Sequence, residues 1–152
     1  MRYFFGVLCL ILCLGTNAVA ASNEEAAIVK NCSGTAFIVR QQRTLTVKKS
    51  ERIYSGDLLR TGRDGTLGII FKDNTILSLG PRSELLIEEF HFDPSRGKLS
   101  IVTRMLKGTA AYVSGVIARL SPQSVRFETP SATIGIRGTK FLVKVEDGGE
   151  EE

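Results

Sequence analysis

The chain has 152 residues, 43% of them hydrophobic and 24% charged, with a formal net charge of +4, one His, three Cys and no Trp. That length supports one domain with a buried core. The single His excludes a His–Cys zinc centre and leaves almost nothing titrating near neutral pH for acid–base chemistry.

The N-terminus reads as an export signal. Arg2 is followed by the apolar run Tyr3 to Leu14, shorter than the roughly 20 residues a membrane-spanning helix needs. Ala18-Val19-Ala20 then offers the small-x-small pattern of a signal peptidase site. Cleavage is expected after Ala20, giving a periplasmic or secreted chain with no further transmembrane segment; the alternative is an uncleaved anchor. Neither Cys9 nor Cys13 stands where a lipoprotein signal would place one, and both leave with the signal. Cys32 then remains alone, without an internal disulfide. Its apolar neighbours Ala27, Ile28 and Val29 favour burial over an intermolecular bridge.

Residues 21–27 read as a short lead and 28–145 as the domain. Thr35 to Val39, Thr44 to Val47 and Leu58-Leu59 are short runs with strand character, broken at Arg40 to Arg43, Ser55-Gly56-Asp57 and Thr61 to Gly65. Leu67 to Phe71 and Thr75 to Leu79 flank Lys72-Asp73-Asn74, which predicts a tight hairpin. In Glu84 to Phe90 neither period is clean: strict alternation sets Leu85, Ile87 and Glu89 against Leu86, Glu88 and Phe90. Asp93 to Gly97 is the strongest turn signal, and Leu99 to Arg104 alternates as a strand. Thr109 to Ala118 fits either a strand bulged at Gly115 or a short helix. Ser124 to Thr129 and Phe141 to Val145 alternate as strands again. The spacing predicts an all-β single domain of short, mostly antiparallel strands, folded as a twisted sandwich or roll, or alternatively as a short β-helix. The last residues, 146–152, crowd five acids around Gly148-Gly149 and are expected to be disordered.

No catalytic constellation is present. Glu88-Glu89 and Glu24-Glu25 are strand neighbours that point to opposite faces. Asp57, Asp64 and Asp73 lack calcium-loop spacing, and the Gly-rich stretches 62–65 and 135–138 are not P-loops. No enzyme activity, cofactor or metal is therefore expected. After cleavage and without the tail acids, 19 basic residues face 11 acidic ones. A basic body draws polyanions, and Lys30, Arg40, Arg43, Lys48, Lys49 and Arg52 form its densest stretch. Export argues against nucleic acid, and no basic run is interleaved with aromatics. An anionic envelope polymer or lipid head group is the candidate ligand for this stretch.

Residues 125–143 read VRFETPSATIGIRGTKFLV. Pro130 removes a backbone donor and holds Thr129 extended. Ala132, Ile134 and Ile136 follow, then Gly135, Arg137-Gly138-Thr139 and Phe141. This stretch resembles the FecR domain family, in which Thr-Pro, a small-apolar segment and Arg-Gly-Thr-x-Phe follow one another. Gly56-Asp57-Leu58-Leu59-Arg60-Thr61-Gly62, Asp73-Asn74 and Ser83 to Leu86 resemble the family's earlier segments in the right order, with Asn74 where Gly is usual. The likeness runs from about Ile28 to Val145. It implies an extracytoplasmic all-β domain. The best-known members regulate iron-dicitrate uptake through a cytoplasmic sigma-factor-binding segment, a transmembrane helix and a receptor-contacting domain. Here an export signal stands where the cytoplasmic segment is expected, so the resemblance implies a free-standing exported domain. The leading expectation is an adaptor or scaffold for an envelope protein; the last is a part of an iron-responsive system. The motif residues read as structural, with Arg137 bonded to turn carbonyls or to a carboxylate such as Glu128.

Overall fold

The computed structural model describes residues 24–147; the expected export signal and Gly148 to Glu152 lie outside the described residues. Its elements are β1 (Glu25–Ser33), β2 (Ala36–Arg40), β3 (Arg43–Thr46), β4 (Arg52–Tyr54), β5 (Leu58–Thr61), β6 (Thr66–Phe71), β7 (Ile76–Leu79), β8 (Glu84–Asp93), β9 (Lys98–Val113), α1 (Val116–Leu120), β10 (Val125–Glu128), β11 (Thr133–Gly135) and β12 (Lys140–Val145). The protein is all-β, with one short α-helix among the described residues. The strands form one antiparallel sheet that curls into a half-barrel, ordered β3-β2-β5-β8-β9-β7-β6-β1-β4, with β10, β11 and β12 branching from β9. Antiparallel ladders set the β-helix alternative aside. Among the described residues a single parallel pair occurs, β10 along β9 from Val125↔Ile101 to Glu128↔Arg104.

The 16-residue β9 builds both wings of this sheet. Its first part pairs with β8. Beyond Gly108 it pairs with β7 on one side and β12 on the other. The β8 wing is thus β3-β2-β5-β8-β9-β10-β11, and the β1 wing is β4-β1-β6-β7-β9-β12. The core lies between them, built from inward-alternating residues such as Ile38, Leu59, Leu67, Ile69, Leu77, Leu85, Phe90 and Tyr112. Each such side chain contributes roughly 1.5–3 kcal/mol on burial.

Three differences from the sequence reading have physical causes. First, β1 starts at Glu25, inside the expected lead, because Ala26 and Ala27 are both buried and Ala27 pairs across to β4 and β6. Second, the broken alternation in 84–90 is a register shift between Ile87 and Glu89. That extra residue turns Phe90 inward with Leu85 and Ile87, which strict alternation would forbid. Third, Thr109 to Ala118 is neither all strand nor all helix. The strand runs to Val113, and Gly115 is the N-cap of α1.

One buried hydroxyl has no partner among the described residues: Thr103 Oγ1, in a residue with no solvent exposure. An unpaired buried hydroxyl costs folding free energy. Thr103→Val should therefore stabilise the protein by about 1 kcal/mol. Urea unfolding would show this as a higher midpoint at unchanged slope, and a lower midpoint would refute it.

Candidate functional site

The residues singled out by sequence fall into four places, and three of them are clamps that hold the curled sheet together. The first is Asp57, which is 1% exposed. Arg40 donates to its carboxylate from Nε at 2.8 Å and from the guanidinium Nη2 at 2.7 Å, and the Tyr54 N–H adds a bond of 2.9 Å. Arg40 also lies over the Tyr54 ring at 4.6 Å and donates to the Arg52 carbonyl. The Asp57 hydrogen bonds hold the Arg40 guanidinium above the ordinary arginine range, against the opposing effect of burial. A bidentate pair of this kind fixes geometry as well as charge. Gly56, at φ +90°, lets the chain turn just before it and donates to the Ile87 carbonyl.

The second clamp sits at the bend of β9. Thr61 Oγ1 donates to the Gly80 carbonyl at 2.7 Å and accepts from the Ser83 N–H at 2.9 Å. Ser83 Oγ accepts from the Thr109 N–H at 3.0 Å. Gly62 donates to the Thr35 carbonyl and accepts from Arg82. The third clamp is Asp73, fully buried in the β6–β7 turn. Its carboxylate accepts from the Thr75 N–H, the Thr75 hydroxyl and the Ile117 N–H, at 3.0, 2.9 and 3.1 Å. Its carbonyl takes the Val116 N–H at 2.8 Å. The hairpin thereby seats the first turn of α1, whose free N–H groups need acceptors.

The fourth place is the C-terminal motif. Thr129 closes a turn by exchanging bonds with Ala132 through both backbone and hydroxyl; Pro130 is exposed within it. Gly135 ends β11, and Gly138 at φ +68° carries the chain towards β12. The Thr139 carbonyl accepts from Ser114. Phe141 stacks on Tyr112 with ring centroids 5.0 Å apart and meets Phe127 edge-on at 5.5 Å. Burial pushes the Tyr112 phenol well above its ordinary range. Arg137 departs from expectation: it is exposed and has no hydrogen bond or ion pair among the described residues. Glu128 is taken instead by Arg104, at 2.9 and 3.2 Å. The two are register partners on the paired strands β9 and β10, whereas Arg137 lies beyond β11.

The basic stretch does not act as a unit. Arg40 is committed to Asp57, and Arg52 stands 3.7 Å from Glu25. Lys30, Lys48 and Lys49 are exposed around the corner where Ser50 donates to the Val29 carbonyl. Arg43 stands at the other end of β3. Cys32 is half-buried, with Sγ 4.0 Å from the Val47 carbonyl oxygen. His91 lies 2.8 Å from Glu24 on the surface. Asp147, at the start of the acidic tail, reaches Lys107 at 3.2 Å.

A surface that sequence reasoning did not find is the outward face of the β1 wing. Ile28, Ile70, Ile76 and Val113 stand side by side in register across β1, β6, β7 and β9. The next row is Asn31, Gly68, Ser78, Ala111 and Leu142. Small residues in that row leave an open groove of about 560 Å³ bordered by Leu142, Val143 and Lys144. Ile28 and Ile76 are 41% and 44% exposed, and Leu142 is 84% exposed. The signal was present in the apolar runs 69–71 and 141–143, where an apolar residue falls on each face of its strand. Among the described residues there is no cluster of three or more potential metal ligands, and no helix is long and apolar enough to cross a membrane.

A family model described as "FecR protein" matches residues 57–151. No curated protein and no solved structure matches the chain.

Proposed function

The chain belongs to the FecR protein family, a regulatory and envelope-associated family, and from that premise we propose that it is a non-catalytic binding module of the cell envelope, an adaptor or scaffold for another envelope protein. The observation that carries this reading is the apolar outer face of the β1 wing, with Ile28, Ile76 and Leu142 open to solvent. Desolvating such a face is the main driving force of protein association, which supports a protein partner as its cover. The motif residues support the reading from the other side. Asp57, Thr61 and Asp73 spend their polar atoms on internal bonds, so the chemistry of the fold is turned inward. Membership of a regulatory family supports a signalling role for such a contact, with iron-responsive control as the finer form of the proposal. Binding to an anionic polymer through the first-third cations has less support, since Arg40 is held by Asp57.

Site-specific photo-crosslinking in intact cells tests the proposal. A photoreactive residue replacing Ile76 should yield one reproducible protein adduct, and the same residue at Leu120, 60% exposed on α1, should not. Equal labelling from both positions, or none from Ile76, would remove the basis for the adaptor reading.

A further inference from the structure

We infer that the free edge of β12 accepts a strand from the partner, an extended segment whose side chains run acidic, apolar, apolar, apolar, acidic. The inference rests on the binding-module reading and names the chemistry of its partner.

Among the described residues β12 hydrogen-bonds to β9 alone, leaving its other side unpaired. It is also the longest such edge, with six residues against four in β3 and three each in β4 and β11. The Ser114 N–H donates to the Thr139 carbonyl at 3.1 Å, which makes Thr139 and Ser114 a bonded pair. Bonded and non-bonded pairs alternate in an antiparallel ladder. Phe141, Val143 and Val145 therefore spend their backbone groups on β9. Lys140, Leu142 and Lys144 point three N–H groups and three carbonyls outward.

Those three residues also share a face. All are exposed on the outer side of the wing, whereas Phe141, Val143 and Val145 pack against the core. A second copy of this strand is a poor occupant. Antiparallel pairing centred on Leu142 would set Lys140 opposite Lys144 twice, and parallel pairing would stack each lysine beside its equivalent. Like charges directly opposite are destabilising, and edge lysines are a recognised guard against self-pairing. Acidic residues at the same two positions turn both repulsions into attractions. The central residue of the incoming strand then covers Leu142 beside the groove, and its flanking apolar residues continue the inner face past Phe141 and Val143. Glu146 lies 3.4 Å from Lys144, with both side chains largely exposed. Exposed pairs of this kind contribute little, so an incoming carboxylate can displace it.

The probe is a capped synthetic peptide of sequence TEVIVET, compared with TKVIVKT by fluorescence anisotropy against the full chain. The acidic peptide should bind at least about tenfold more tightly. K140E/K144E should invert that order. Leu142→Pro should abolish binding while leaving the unfolding transition in place, because it removes an outward N–H that β9 does not use. Addition of peptide should slow amide exchange at Lys140, Leu142 and Lys144. Equal affinity for both peptides, no inversion in the double variant, or full binding by Leu142→Pro would overturn the inference. So would a homodimer in sedimentation that Leu142→Pro dissolves, since that assigns the edge to a second copy. If Leu142→Pro keeps the Ile76 adduct in cells, the edge inference falls and the binding module stands. Loss of every adduct with peptide binding intact would fell the module reading instead.

Discussion

Gly108→Ala is expected to prevent stable folding. Gly108 has φ +94°, and a Cβ built there lies 2.2 Å from Ser83 Oγ, 2.4 Å from Ser83 Cα and 2.6 Å from Ser83 Cβ. A backbone atom cannot rotate aside, so one of the two chains must shift. Both are fixed, since Ser83 is fully buried and bonded to Thr61 and Thr109. Left-handed backbone alone costs a side-chain-bearing residue about 1–2 kcal/mol. The steric displacement of Ser83 adds to that, and the total should approach the roughly 5–15 kcal/mol that holds a domain together. Gly97→Ala is the control. Gly97 has φ +66°, but its Cβ would meet nothing within 4 Å, so it should lose only about 1 kcal/mol. Circular dichroism and urea unfolding of both variants measure the difference. Equal, small losses would show that β9 can pass between the wings without a glycine.

Asp73→Ala should cost about 4 kcal/mol, as three buried donors lose their acceptor at roughly 1–3 kcal/mol each before any relaxation. Those donors are the Thr75 N–H, the Thr75 hydroxyl and the Ile117 N–H. The local packing leaves little room to adapt. A Cβ on Gly115 would sit 2.3 Å from the Asp73 carbonyl oxygen and 2.4 Å from the Thr75 nitrogen. Asp73→Asn should lose nearly as much despite its shape, because its amide sets a donor against donors. Equilibrium unfolding in urea decides the matter. A loss under about 1 kcal/mol in both variants would mean that the hairpin does not hold α1.

In the sequence Asp73 is one turn residue among many, and it does sit in a turn, with Asn74 at φ +67°. Its second task, receiving the N-terminus of α1 more than 40 positions downstream, had no local trace. The same holds for Asp57, whose partner Arg40 counts in the sequence as one more surface cation free to meet polyanions. Charge counting along a sequence cannot tell a solvated arginine from one bound through two of its nitrogens to a buried carboxylate. Arg137 shows the reverse. The motif around it suggested a bonded side chain, yet the turn carries it outward, and Glu128 finds Arg104 across the strand pair.

Local physics was legible in the residues alone. Alternation of apolar and polar side chains has a period of two whatever the strand pairs with. Gly, Pro and Asp-Asn break the chain for reasons of backbone sterics. The all-β class, most strand positions and the hairpin at Lys72 to Asn74 followed from these, and the ordered set of short segments pointed to the FecR family. Only the tertiary structure decided which strands meet, that β9 serves both wings by bending at Gly108, that Phe90 turns inward, and that one apolar face stays open beside an unpaired edge. Each of these depends on pairing between distant residues. A one-residue change of register moves a whole strand's side chains to the other face, so the information lies in contacts between strands and not in the run of any one of them.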